Sequence, residues 1–159
     1  MKKDLYLGAA YYPELWEEEE IEKDIARIRE VGLNCVRIGE FAWGRMESQE
    51  SVFDFEWLKR AVEKLYENGI YTVLCTPSAT PPRWLLNKYP ETRMVMHDLV
   101  RADVSSRCHT CKTSPVMREK NRIIVTKMAE TFAGRPGVIG WQIDNEIFPY
   151  NEGCFCENC

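Results

Sequence analysis

Apolar positions along the chain follow two periods in turn. Leu5–Tyr12 ("LYLGAAYY"), Asn34–Gly39 ("NCVRIG"), Tyr71–Thr76 ("YTVLCT") and Val138–Ile143 ("VIGWQI") are short, apolar and β-prone, which predicts four strands. Between them the period lengthens. Ile21, Ile25 and Ile28 recur at helical spacing in a charged segment that ends near Gly32. Leu58, Ala61, Val62 and Leu65 mark one face of a second helix, with Asp54 as its N-cap and Gly69 as its stop. "PPRWLLNKY" opens with prolines that suit a helix start. Ser114 and Pro115 read as the N-cap and first residue of a helix that turns Met117, Ile124, Met128 and Phe132 inward. Residues from about 96 to 113 show no period and predict a long loop, of the kind that usually carries function.

Strands alternating with helices imply an α/β fold with a parallel sheet. A doubly wound sheet calls for a glycine-rich turn after the first strand, but that position holds Tyr11-Tyr12-Pro13-Glu14. In a (β/α)8 barrel, chemistry gathers at the C-terminal ends of strands. Those ends read Tyr11-Tyr12-Pro13-Glu14, Glu40-Phe41-Ala42-Trp43, Thr76-Pro77-Ser78-Ala79 and Asp144-Asn145-Glu146, rich in carboxylates and aromatics. The barrel is the better reading. A whole barrel takes eight strands and typically about 250 residues. Residues 1–159 are therefore expected to form the N-terminal half of a (β/α)8 TIM barrel, about four βα units of a longer protein.

Charge narrows the classes further. A net charge of −4 gives no electrostatic case for nucleic acid or an anionic membrane. No apolar run approaches the about 20 residues of a membrane span. The opening "MKKDLYLGAAYYPE" reads as a first strand rather than a signal peptide, so a cytoplasmic protein is expected.

Two constellations carry chemistry. Glu146 stands at the end of the fourth strand, where a glycosidase would present a carboxylic acid to a leaving oxygen; a second carboxylate would serve as nucleophile or base. The plain alternative is a solvated strand terminus. Most of the five tryptophans suit core packing, and Trp43, just past a strand end, is the best candidate for stacking on a sugar. Of seven cysteines, Cys35 and Cys75 lie singly in apolar runs and behave as small hydrophobes. The others cluster. Cys154-x-Cys156-x2-Cys159, with a partner about 40 residues earlier, has the ligand type and spacing of a closed zinc site. Spacing alone leaves Cys108, Cys111 and even His109 open as the fourth ligand; His97 reads as a surface residue.

The segments "LGAAYYPELW", "VRIGEFAWGRME", "TPSATPPRWL", "SPVMRE" and "WQIDNE" together resemble glycoside hydrolase family 42, the β-galactosidases, in the family's order. The resemblance implies a retaining enzyme acting on terminal β-galactosides, with a catalytic (β/α)8 domain and a trimer as the full-length assembly. It implies that Glu146 is the acid/base, that Asn145 hydrogen-bonds the sugar near the nucleophile, and that Arg107 contacts substrate. The nucleophile, a glutamate near the end of a seventh strand, would lie beyond Cys159; Glu40 is better read as structural. The family's pattern selects Cys111 to join Cys154, Cys156 and Cys159 around one structural Zn2+ per chain. Two other functions fit less of the sequence. An α-L-arabinosidase or other barrel glycosidase would share the "NE" ending. A zinc-binding interaction module would leave Glu146 and the aromatic strand ends unexplained.

Overall fold

The computed structural model describes residues 5–104, 109–146 and 153–159. Strands β1 (Gly8–Ala10), β2 (Cys35–Ile38), β5 (Tyr71–Cys75) and β6 (Val138–Gln142) form one parallel sheet in the order β1-β2-β5-β6. The register Ala10↔Arg37, Ile38↔Leu74 and Cys75↔Gln142 brings all four C-terminal ends to one side. Helices α1 (Glu20–Glu30) and α3 (Glu56–Glu67) connect successive strands, and α4 (Arg83–Lys88), opening after the prolines, and α5 (Pro115–Phe132) lie between β5 and β6. These are three βα units and a fourth strand, the alternation that the periodicity predicts.

The helices end where their sequences say they should. Leu33 N–H bonds Ile28 O and Gly32 N–H bonds Arg29 O at the end of α1. Ile70 to Leu65 and Gly69 to Tyr66 repeat the pattern at the end of α3. Both are Schellman stops, which need the left-handed backbone that Gly32 (φ +80°) and Gly69 (φ +75°) adopt. At the start of α5 the Ser114 hydroxyl accepts from Met117 N–H, with Pro115 in the first turn. Asp54 differs by one position from its expected role. Phe55 is the N-cap of α3, and the Asp54 carboxylate takes the Glu56 N–H at 2.9 Å.

The inward faces are those the spacing picked out. Ile21, Ile25, Leu58, Ala61, Val62, Leu65, Met117, Ile124, Met128 and Phe132 are all buried in one core, with Ile28 packed at its edge. The inner strands join them through Val36, Ile38 and Leu74. Burying each such side chain contributes about 1.5–3 kcal/mol against conformational entropy.

Three features depart from the sequence reading. The first strand is only Gly8–Ala10; Tyr11 N–H still bonds Arg37 O, and the chain then enters a 3-10 helix at Pro13–Leu15. A short helix α2 (Trp43–Met46) and a hairpin, β3 (Glu47–Gln49) with β4 (Val52–Phe53), sit between β2 and α3. Two- and three-residue strands are too short to show a period. The loop from 96 to 113 is not wholly structureless: Arg93 bridges Thr110, and Val95 bridges Arg101.

No helix of the described residues is long and apolar enough to cross a membrane.

Candidate functional site

Polar side chains meet where the strands end. Arg37, on β2, donates through Nη1 to Glu40 Oε1 at 2.7 Å and also to Gln142 Oε1. Gln142, the last residue of β6, donates through Nε2 to Glu40 Oε1 at 3.2 Å. The Tyr12 hydroxyl reaches Glu40 Oε2 at 3.3 Å. Glu40 is 2% exposed, so its carboxylate is spent on tying three strand ends together. That arrangement supports its reading as structural. Burial works against the charge on Arg37, but the bond and proximity to Glu40 outweigh it and raise its pKa.

Past Gln142 the chain turns sharply. Asp144 (φ +59°) and Glu146 (φ +45°) both adopt left-handed backbone, which non-glycine residues rarely do. The turn carries Asn145 and Glu146 onto the C-terminal end of the sheet. Glu146 is exposed there. Asn145 is half-buried, and its Nδ2 is buried with no hydrogen-bond partner among the described residues. A buried donor left unpaired costs about 1–3 kcal/mol, a cost that an acceptor on a ligand can remove.

Glu14, in the 3-10 turn after β1, shares this end of the sheet. Neither of its carboxylate oxygens finds a partner among the described residues, and burial pushes its carboxyl up. In the sequence Glu14 stands out only as part of a strand end. Desolvation of a single carboxylate has no signature in residue type or spacing.

The cysteines converge. The Sγ atoms of Cys111, Cys154, Cys156 and Cys159 all lie within 4.8 Å of one another. Cys111 Sγ is 3.5 Å from both Cys156 Sγ and Cys159 Sγ, and the latter two are 3.8 Å apart. Zn–S bonds of about 2.3 Å in a tetrahedron would set sulfurs about 3.8 Å apart, so the donor set fits a zinc ion in both chemistry and spacing. The loop is built for this. Cys111 N–H bonds Thr92 O, Phe155 N–H bonds Val95 O, and Val95 N–H donates to Cys154 Sγ at 3.3 Å.

Desolvation opposes ionisation of Cys111, yet bonds from Thr113, Cys156 and Cys159 outweigh it and hold the thiol at about 7. Thr113 favours the Cys159 thiolate, but desolvation and the three neighbouring sulfurs push that thiol up to about 12. One thiolate forms readily while Cys154 and Cys159 resist, which is the behaviour a cation would relieve.

Other expected residues fall apart from these groups. Arg107 and Cys108 lie outside the described residues. His109 is buried but is not among the sulfurs, and His97 is exposed. Trp43 is fully buried, with Nε1 donating to Glu47 Oε2 at 2.8 Å. It is a core residue, and its expected place beside a sugar does not hold. Cys35 and Cys75 are buried as expected, and desolvation pushes Cys75 up to about 12.

Four parallel strands joined through helices define the class of the molecule as an α/β half-barrel. The family model for β-galactosidase matches residues 10–159, and the chain belongs to that family, glycoside hydrolase family 42. It is 46% identical to the β-galactosidase YesZ of Bacillus subtilis over 160 residues, covering 99% of this chain and 24% of that protein. It is 43% identical to the β-galactosidase BgaH of Haloferax lucentense, over 96% of this chain and 23% of that one. Among solved structures, the β-galactosidase of Halorubrum lacusprofundi superposes with a TM-score of 0.92 at 42% identity, covering 98% of this chain and 23% of that chain. The chain thus spans about a quarter of the length of the curated relatives it matches.

Proposed function

We propose that residues 1–159 are the N-terminal portion of the catalytic barrel of a retaining β-galactosidase, with Glu146 as its acid/base. The observation that carries this reading is Glu146 just past the C-terminal end of β6, next to an Asn145 Nδ2 that finds no acceptor among the described residues, in a chain of this family. Glu146 donates its proton to the glycosidic oxygen as the bond breaks, then takes a proton from water in the second step. Asn145 donates to a sugar hydroxyl, and Arg107 contacts the same galactoside. The nucleophile is a glutamate of a later strand, about 5–5.5 Å from Glu146.

Cys111, Cys154, Cys156 and Cys159 hold one structural Zn2+, which cross-links the loop leading to α5 with the segment after Glu146. Thiols kept for a metal suit a reducing compartment, and a cytoplasmic location is proposed with them. The full-length protein is proposed to be a homotrimer that binds neither nucleic acid nor membrane.

The test is hydrolysis of a chromogenic β-galactoside and of lactose by the full-length protein. Glu146→Gln should cost about 10²–10⁴-fold on lactose, the usual worth of general acid–base catalysis. Unchanged lactose kinetics in that variant would sink the assignment.

A further inference from the structure

We propose that Asp144 is the positioning residue of the acid, and that Lys112, beside the metal loop, locks it in place. The inference rests on Glu146 being the acid/base. Asp144 uses every polar group it has. Its N–H donates to Thr76 Oγ1 at 2.7 Å, and its carbonyl accepts from Gln142 Nε2 at 2.9 Å. Its Oδ1 accepts from Asn145 N–H at 2.8 Å, and its Oδ2 pairs with Lys112 Nζ at 3.0 Å. Two neighbouring strands, its own chain and the thiol loop are joined at one residue.

The backbone gives this a purpose. Left-handed backbone at a non-glycine residue costs on the order of 1–3 kcal/mol and persists only where the surroundings over-determine it. Asp144 and Glu146 both adopt it, so the direction in which Glu146 leaves the sheet depends on those four bonds. Three of the four come from the turn itself or the adjoining strands. The fourth comes from Lys112, whose neighbour Cys111 is fixed by its N–H to Thr92 O and by its place among the sulfurs. The thiol cluster therefore has a mechanical path of two side chains to the acid. Lys112 does not touch the reacting atoms; it acts through Asp144. General acid catalysis is sensitive to aim, and a misplacement of about 1 Å can cost on the order of 10²-fold.

The experiment uses the full-length holoprotein. Lys112→Ala, Lys112→Arg, Asp144→Ala and the double Ala variant are compared on lactose and on a dinitrophenyl β-galactoside, with Glu146→Gln as the benchmark. A dinitrophenolate leaves with little acid help, so a misaimed acid spares the first step on that substrate, the step that kcat/KM reports. Lys112→Ala and Asp144→Ala should lose about tenfold or more in kcat/KM on lactose, with far less loss in kcat/KM on the activated substrate. Lys112→Arg should recover most of it. The double variant should be no worse than Asp144→Ala, since the two act as one unit. Metal content should stay at the wild-type value throughout.

Lys112 is 43% exposed, so its variants remain informative even if Asp144→Ala does not fold. Wild-type lactose rates, equal loss of kcat/KM on both substrates, or loss of metal together with rate in Lys112→Ala would each overturn the positioning role alone. A Glu146→Gln benchmark without selective loss on lactose overturns the acid assignment, and this inference with it.

Discussion

The thiol cluster and the carboxylate site lie at the same end of the sheet, but they differ in how much of their chemistry this chain supplies. The cluster is self-contained: four donors within 4.8 Å, all from residues 111–159. The carboxylate site is open. Glu146 is exposed, the Asn145 amide lacks an acceptor among the described residues, and Glu40 is spent on Arg37, Tyr12 and Gln142. A ligand cage needs only a few residues of one loop. A retaining glycosidase needs two carboxylates from strands far apart in a barrel.

The sharpest way to break that contrast is to ask each site to work in these 159 residues alone. Galactosidase turnover should be absent, because the covalent route has no nucleophile. The sheet should also associate. All three residues of β1 are exposed, and Ile139 and Trp141 on β6, with Ile143 just after it, present 39%, 37% and 69% of their surface. Open edges and apolar faces of that kind recruit other chains. Size-exclusion chromatography with light scattering, beside a β-galactoside assay, checks both. A monodisperse, cooperatively unfolding chain with turnover that Glu146→Gln abolishes would erase the contrast.

Next in size is the metal. The full-length protein should hold one zinc per chain by elemental analysis. Cys111→Ser should lose it, while Cys108→Ser should leave the stoichiometry at one. If instead Cys108→Ser loses zinc and Cys111→Ser keeps it, the self-contained cluster is misassigned.

The same contrast explains what could be read from sequence. The helix faces were legible because ten inward residues recur at one spacing. The stops were legible because glycine alone takes their backbone at little cost. Cys154, Cys156 and Cys159 were legible by local spacing, whereas choosing Cys111 over Cys108 or His109 needed the family's pattern. Asp144 was not. Its importance comes from Thr76, Lys112 and Gln142 arriving together, and no local period encodes a meeting of three segments. Trp43 misled for the same reason: a strand end faces the site or the core according to the next turn. Here Gly39 (φ +86°) and α2 send Trp43 inward to Glu47.

The smallest expected effect concerns the support beneath the thiol loop. Ser114 and Pro115 lead from that loop into α5, and Lys120 on α5 pairs with Glu50, the turn residue of the β3–β4 hairpin. Lys88 and the Tyr89 hydroxyl bond the same carboxylate, the latter at 2.8 Å. Lys120 and Lys88, then Tyr89, hold the Glu50 carboxyl down at about 2, against 4.5 for a free one. A depressed carboxylate binds protons more readily unfolded than folded, so it contributes stability above about 4.5 and loses it as pH falls toward about 2. The group lies half-buried at the surface, within reach of salt, which keeps the contribution small. In the full-length protein, Glu50→Gln should lower the melting temperature slightly at neutral pH, and the gap to wild type should narrow as pH falls below 4.5. The acid site does not rest on this hairpin. Zinc retention under mild heating should therefore fall in Glu50→Gln before selectivity between lactose and the activated galactoside changes. A gap that widens on acidification, or selectivity that moves first, would show that the hairpin braces the carboxylate site instead.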